Sequence, residues 1–267
     1  MSIPVGIMVR NMGTQSTPDL VRHCALEAEA ANLDSVYVVD HIAIPPDDAE
    51  GSGGRYLDPL STLAWLGGLT TKIKLGVGIL VLPYRPKLPT AKVIATIQEL
   101  TGNRLELGIG IGWMGPEFKA LGVPREKRGA ISDDVLRFLH ACFGNEVVSE
   151  NGQDFLFKPR PERPPIFVGG SPPHAIERAL EFGDGWFPMG GEPDELVPVI
   201  KDYKDRASAA NKSARVVTYA GFKDVADFRD RLARLEDIGV DQVMATVKYD
   251  TADEFSKGVE GVSAAMG

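Results

Sequence analysis

KLGVGILVLPYRPKLPTAKVIATIQELTGNRLELGIGIGWMGPEF, residues Lys74 to Phe118, decides the fold. Two apolar, glycine-studded strands flank one helix. That is the repeating unit of a parallel α/β protein, whose strand-to-helix loops open on the side where ligands bind. The first strand carries Val77–Gly78–Ile79. A glycine inside a strand marks a bulge or a close approach by another group, so backbone here could press against a flat ring system. The same glycines could equally relieve crowding inside a barrel. The second strand runs into Gly108–Ile109–Gly110–Ile111–Gly112–Trp113. This string lacks the GxGxxG spacing of a dinucleotide fold and has no acidic residue at the right distance, so a nicotinamide site is poorly supported. Its small residues instead leave room at a barrel mouth, with Trp113 available to wall a ligand.

Outward from this stretch the alternation continues. Strands are expected at Ile3–Val9, Ser35–Val39, Ile73–Val81, Arg104–Gly110, Pro165–Gly170, Gly185–Met189, Arg215–Gly221 and Gln242–Val247. Helices are expected between and after them. Thr17–Ala31 is capped by Thr17 with Pro18 at its first position, and Asp58–Leu69 by Asp58 before Pro59. Further helices are expected near 87–100, 131–143, 173–182, 193–210, 224–238 and 252–264. About eight strand–helix pairs in about 250 residues is the arithmetic of a single (β/α)8 TIM barrel, α/β in class. An open doubly wound sheet is the alternative. One small interruption, Glu146–Pro159, reads as a hairpin around Asn151–Gly152, inserted before the fifth barrel strand on the N-terminal side. One domain spanning 1–267 is expected, and the Pro, Asp and Gly of loop Pro45–Gly54 make it a mobile segment in this reading.

The net charge of −8 argues against nucleic acid or an anionic membrane as partner. It leaves room for an anionic small molecule, which backbone amides can bind. Cys24 and Cys142 fall in helix-like apolar segments, ordinary core usage in a reducing compartment. The N-terminus lacks the basic and apolar regions of a signal peptide, and no run of about 18 apolar residues spans a membrane. A soluble, cytoplasmic protein is expected. No HExxH, CxxC or spaced His/carboxylate cluster points to a metal.

Residues just past the strand C-termini form the active sites of barrels. Asp40–His41 follow the second strand there. His41 could act as general acid or base, and Asp40 could accept from a cofactor hydroxyl or orient the imidazole. A capped loop with a hydrogen-bonded histidine is the plainer reading. His23, His140 and His174 lie in or at helices and read as structural or solvent-facing. Gly169–Gly170–Ser171 end a strand before a helix that opens through Pro172–Pro173. Free amides and the Ser171 hydroxyl would make a phosphate cradle, although a serine-capped glycine turn would look the same. Arg178 is expected to pair with Glu177 or Glu181, and Arg104, before its strand, to serve stability. Lys223 and Lys248 follow late strands, where an anionic ligand or plain solvent could meet them.

The segments SVYVVDHI, Lys74–Phe118, RPPIFVGG and ALEFGDGW together resemble the bacterial-luciferase-like superfamily of flavin- or deazaflavin-dependent oxidoreductases. The resemblance runs from Val5 to about Met189. It implies a (β/α)8 barrel, typically a homodimer, that binds coenzyme F420 or FMN at the C-terminal mouth and acts on a small organic substrate. It further implies that Val77, Gly78 and Ile79 support the ring on a non-proline cis peptide between Gly78 and Ile79. Asp40 and His41 would match the pair that touches the deazaflavin, with His41 aiding proton transfer. Gly110, Gly112 and Trp113 would wall the ring, and Gly169, Gly170 and Ser171 would hold the phosphate. Sugar-phosphate dehydrogenases of the family place glutamate where Trp113 stands, so that substrate is not expected; nor is there room for the long mobile loop of true luciferases. F420-dependent hydride transfer is therefore expected, with an FMN-dependent monooxygenase and a non-catalytic cofactor-binding protein as alternatives.

Overall fold

Eight strands, each apolar on both faces, can be buried only between an inner core and an outer layer of helices. The computed structural model, which describes residues 3–267, shows that arrangement. The strands are β1 (Val5–Met8), β2 (Ser35–Val38), β3 (Lys74–Val81), β4 (Leu105–Gly110), β7 (Ile166–Gly169), β8 (Gly185–Phe187), β9 (Arg215–Gly221) and β10 (Gln242–Thr246). All neighbouring pairs are parallel, and β10 returns to β1, so the sheet is a closed barrel rather than an open doubly wound one. The helices are α1 (Pro18–Ala30), α2 (Pro59–Leu69), α3 (Lys87–Leu100), α4 (Gly115–Ala120), α5 (Arg128–Gly144), α6 (His174–Phe182), α7 (Pro193–Ala209), α8 (Val225–Asp237) and α9 (Ala252–Met266). The remaining strands, β5 (Val147–Glu150) and β6 (Gln153–Leu156), form the expected hairpin, closed by Asn151 and Gly152, both at positive φ.

The predicted caps hold. Thr17 accepts from the Leu20 amide and Asp58 from the Ser61 amide. Several strands are shorter than expected, β1 and β8 each ending or starting a residue or two inside the expected run. Helix α5 begins at Arg128 rather than near Ile131, and a short α4 forms where the sequence reads as loop. In the barrel interior Tyr37, Phe167, Phe187, Val217 and Met244 pack together. Below them, at the N-terminal end, buried Glu106 accepts from Tyr37 Oη at 2.8 Å and from Gln242 Nε2 at 3.0 Å. Buried polar groups persist only when paired, and this network closes the bottom of the barrel. Arg104 lies at the same end, donating to the carbonyls of Gly67, Thr70, Thr101 and Ile73, a stability role as expected. Arg178 pairs with Asp133 of α5 at 2.6 Å rather than with Glu177, which Arg206 takes, or with Glu181.

Candidate active site at the barrel mouth

Between Val77 and Leu80 the pairing of β3 with β4 slips, leaving Gly78–Ile79 as a bulge whose peptide bond is cis. The glycines around it leave room for neighbouring groups. Gly76, Gly108 and Gly110 make way for Tyr37, the Val77 carbonyl and Ile79, since a Cβ at each would overlap those groups. Gly78 leaves room for Tyr219, whose hydroxyl donates to the Gly78 carbonyl. Close packing thus accounts for the glycines of both β3 and β4.

The bulge floors a cavity of about 400 Å³, within the range of small-molecule and cofactor sites. Of the residues singled out from the sequence, Asp40, His41, Gly78, Ile79, Gly112, Trp113, Gly169 and Gly170 line it. Val77 and Gly110 are buried beneath the lining, and Ser171 is exposed outside it at the head of α6. Trp113 is 67% exposed and meets the His41 ring edge-on, with centroids 6.2 Å apart.

Asp40 is placed differently from its expected roles of accepting from a cofactor or orienting His41. Its buried carboxylate takes both arms of Arg85, at 2.6 and 2.8 Å, and the Val81 amide at 2.9 Å. Arg85 also reaches Asp58, the residue that caps α2, at 2.8 Å. A planar guanidinium suits such a fork, and the pair ties the end of β3 to the loop after β2.

The partner of His41 is Glu117 of α4, absent from the sequence reading. Its fully buried Oε2 accepts from His41 Nδ1 and from Tyr84 Oη, both at 2.8 Å. Oε1 accepts from the amides of Ile42 and Ala43 at 2.6 and 2.9 Å. Burial pushes the Glu117 carboxyl up, but the Ala43 and Ile42 amides, His41 and Tyr84 outweigh it and hold it below the usual range. Burial, then the Glu117 carboxylate, push the Tyr84 hydroxyl well up, so it stays a donor. With Nδ1–H committed to Glu117, Nε2 is the ring nitrogen left for a ligand. Asn11 fixes the same loop from below: its amide donates to the carbonyls of Val39 and Leu57 and accepts from the Val39 amide.

At the far wall, Gly170 has φ of +123°, and the amides of Ser171, His174 and Ile176 donate to no acceptor among the described residues. His23 and His140 are structural, contacting Ser256 Oγ and the Phe182 carbonyl. Among the described residues no group of His, Cys, Asp and Glu could hold a metal, and no helix is long and apolar enough to cross a membrane.

Residues 1–222 match the model of the luciferase-like monooxygenase family. The chain belongs to that family. An uncharacterized protein of Mycobacterium tuberculosis is 31% identical over 242 residues, covering 82% of each chain. An FMNH(2)-dependent dimethylsulfone monooxygenase of Pseudomonas putida is 30% identical over 158 residues, covering 55% of this chain and 43% of that one. An F420-dependent secondary alcohol dehydrogenase, solved with an F420–acetone adduct, superposes with a TM-score of 0.84 over 99% of both chains at 15% identity. This luciferase-like family comprises oxidoreductases and monooxygenases, and both F420- and FMN-dependent enzymes share its barrel.

Proposed function

We propose that the protein is an F420-dependent oxidoreductase that moves hydride between the deazaflavin and a small organic substrate. The observation that carries this reading is His41, held by Glu117 with Nε2 left for a ligand, on the wall of the cavity that Gly78 and Ile79 floor. Hydride transfer to a carbonyl or imine carbon leaves a basic atom that must gain a proton, and the reverse reaction must remove one. In this reading His41 does both.

The residues fit a flat phosphate-bearing cofactor. Gly78, Gly112, Gly169 and Gly170 present backbone to the cavity, and apolar Ile79, Ile111 and Trp113 suit a ring. The unpaired amides of Ser171, His174 and Ile176 lie at the N-terminus of α6, where a phosphate is favoured by free donors and by the helix dipole. The cofactor would supply the hydride-carrying carbon. The chain's part is to fix the ring on Gly78–Ile79, wall off water with Trp113, and hold the proton at His41 Nε2. Asp40 acts through Arg85, keeping the ends of β2 and β3 together. Val77 and Gly110 support the floor from beneath.

The Pseudomonas putida relative favours a second reading, an FMN-dependent monooxygenase using reduced flavin and oxygen. A non-catalytic carrier would need no titratable side chain at the ring. We further propose a cytoplasmic, single-domain homodimer; the exposed Trp65, Val93 and Leu100 on α2 and α3 offer an apolar face for the second copy, which light scattering would reveal. The test of the activity uses purified protein with F420, screened anaerobically against alcohols, aldehydes and enoates. Turnover that falls at least about 100-fold in His41→Ala, with F420 affinity kept, supports the assignment. Wild-type turnover in that variant removes it.

A further inference from the structure

A second cavity of about 400 Å³ adjoins the first, sharing Val39, Gly78 and Met189 with it. A molecule seated there would share Gly78 with the occupant of the first cavity. Its walls are mostly apolar: Met8, Met12, Tyr219 and Val247. The charged residues lining it are Arg10 and Lys248, both cations. Neither forms an ion pair among the described residues, and Arg10 Nε is buried with no hydrogen-bond partner. Arg128 and Arg231 also have a buried Nε without a partner, but Arg128 donates through Nη1 to the Arg125 carbonyl and Arg231 pairs with Glu192. The Arg10 guanidinium makes no hydrogen bond or ion pair among the described residues. A chain with net charge −8 has carboxylates to spare, yet among the described residues none lies within ion-pair distance of these two cations. Arg and Lys at the polar end of an apolar pocket recognise a carboxylate, the guanidinium by a two-point fork and the ammonium as a point charge. Methionines make the remaining wall adaptable to the body of the ligand.

We propose that this lobe is the substrate pocket and that it selects an organic anion, a carboxylate on a compact apolar body, held by Arg10 and Lys248. The assignment as substrate pocket rests on the reading of the first cavity as the F420 site. A wider groove continues from Val247 and Lys248 past Lys223, Lys257 and Arg231, with Asp227 and Glu254 as its acids, and gives the anion a path inward.

The test uses the full chain with 13C-methyl methionine and follows the Met8, Met12 and Met189 resonances, assigned by Met8→Leu, Met12→Leu and Met189→Leu. The probes are hexanoate and the isosteric neutral hexanamide. Saturable shifts with hexanoate binding at least tenfold tighter than hexanamide are expected. That preference should fall at least fivefold in Arg10→Gln and in Lys248→Gln, and should weaken with added salt. Equal binding of the two probes, or an unchanged preference in both variants, overturns the proposal. Loss of the hexanoate shifts on saturation with F420 assigns the cations to the cofactor and overturns it too. F420 titration of the same samples reads the first cavity separately: selective hexanoate binding without F420 binding would remove the proposed function while leaving an anion pocket.

Discussion

Glu117→Gln separates the two jobs of the buried carboxylate. Oε1 holds the Ile42 and Ala43 amides, and Oε2 holds His41 Nδ1 and the Tyr84 hydroxyl. In the variant the amide oxygen keeps the two backbone donors, which only an acceptor can satisfy. The amide nitrogen then faces His41 and Tyr84, and both must turn from donor to acceptor. Hydrogen bonds to a charged group contribute about 1.5–3 kcal/mol and neutral ones about 0.5–1.5, so the two Oε2 bonds lose about 1–1.5 kcal/mol each. With weaker Oε1 bonds added, the variant is expected to lose about 3 kcal/mol. In a domain of this size each kcal/mol moves Tm by roughly 2–4 °C, giving a fall of about 6–12 °C. Urea denaturation and thermal melts measure this, and 15N-histidine NMR should show the His41 proton moving from Nδ1 to Nε2. The pH dependence has a definite sign. The folded carboxyl lies below its unfolded value of about 4.3, so between the two the unfolded chain binds the extra proton and stability rises with pH. The contribution is present above about pH 5 and is lost as the pH falls through the folded value, so the gap between wild type and variant narrows in acid. A variant within about 0.5 kcal/mol of wild type at neutral pH, with His41 still protonated at Nδ1, would refute the network.

Arg85→Met leaves Asp40 buried without its cation and is expected to cost about 3–5 kcal/mol in a denaturant melt, with Asp40→Asn added to Arg85→Met recovering part of the loss. Gly78→Ala puts a Cβ onto the Tyr219 hydroxyl, an overpacking cost of about 1–3 kcal/mol; calorimetry should show partial relief when Tyr219→Phe removes that hydroxyl. Gly170→Ala forces a side chain into φ of +123° and should weaken FMN or F420 roughly tenfold while sparing riboflavin, which has no phosphate, in fluorescence titrations.

The barrel was readable because each strand is a short apolar run bounded by caps and turns, signals carried within a few neighbouring residues. Asn151–Gly152 announced its hairpin, and Thr17 and Asp58 their helices, for the same reason. His41 was legible through its place after a strand. What escaped were partners set by long-range geometry. Glu117 is 76 residues from His41 and sits on a six-residue helix that GPEFKA does not advertise; a lone glutamate beside aromatic Phe118 was its only signal. Asp40 looked free because Arg85 lies 45 residues on, past the bulge. Arg10 left no mark, since nothing in the chain shows which cations lack a carboxylate once folded.

The most direct measurement is a side-by-side fluorescence titration of the purified protein with F420 and FMN, with Gly170→Ala as control. Saturable F420 binding at least tenfold tighter than FMN binding is expected. Tight FMN binding with no response to F420 would contradict the F420 assignment.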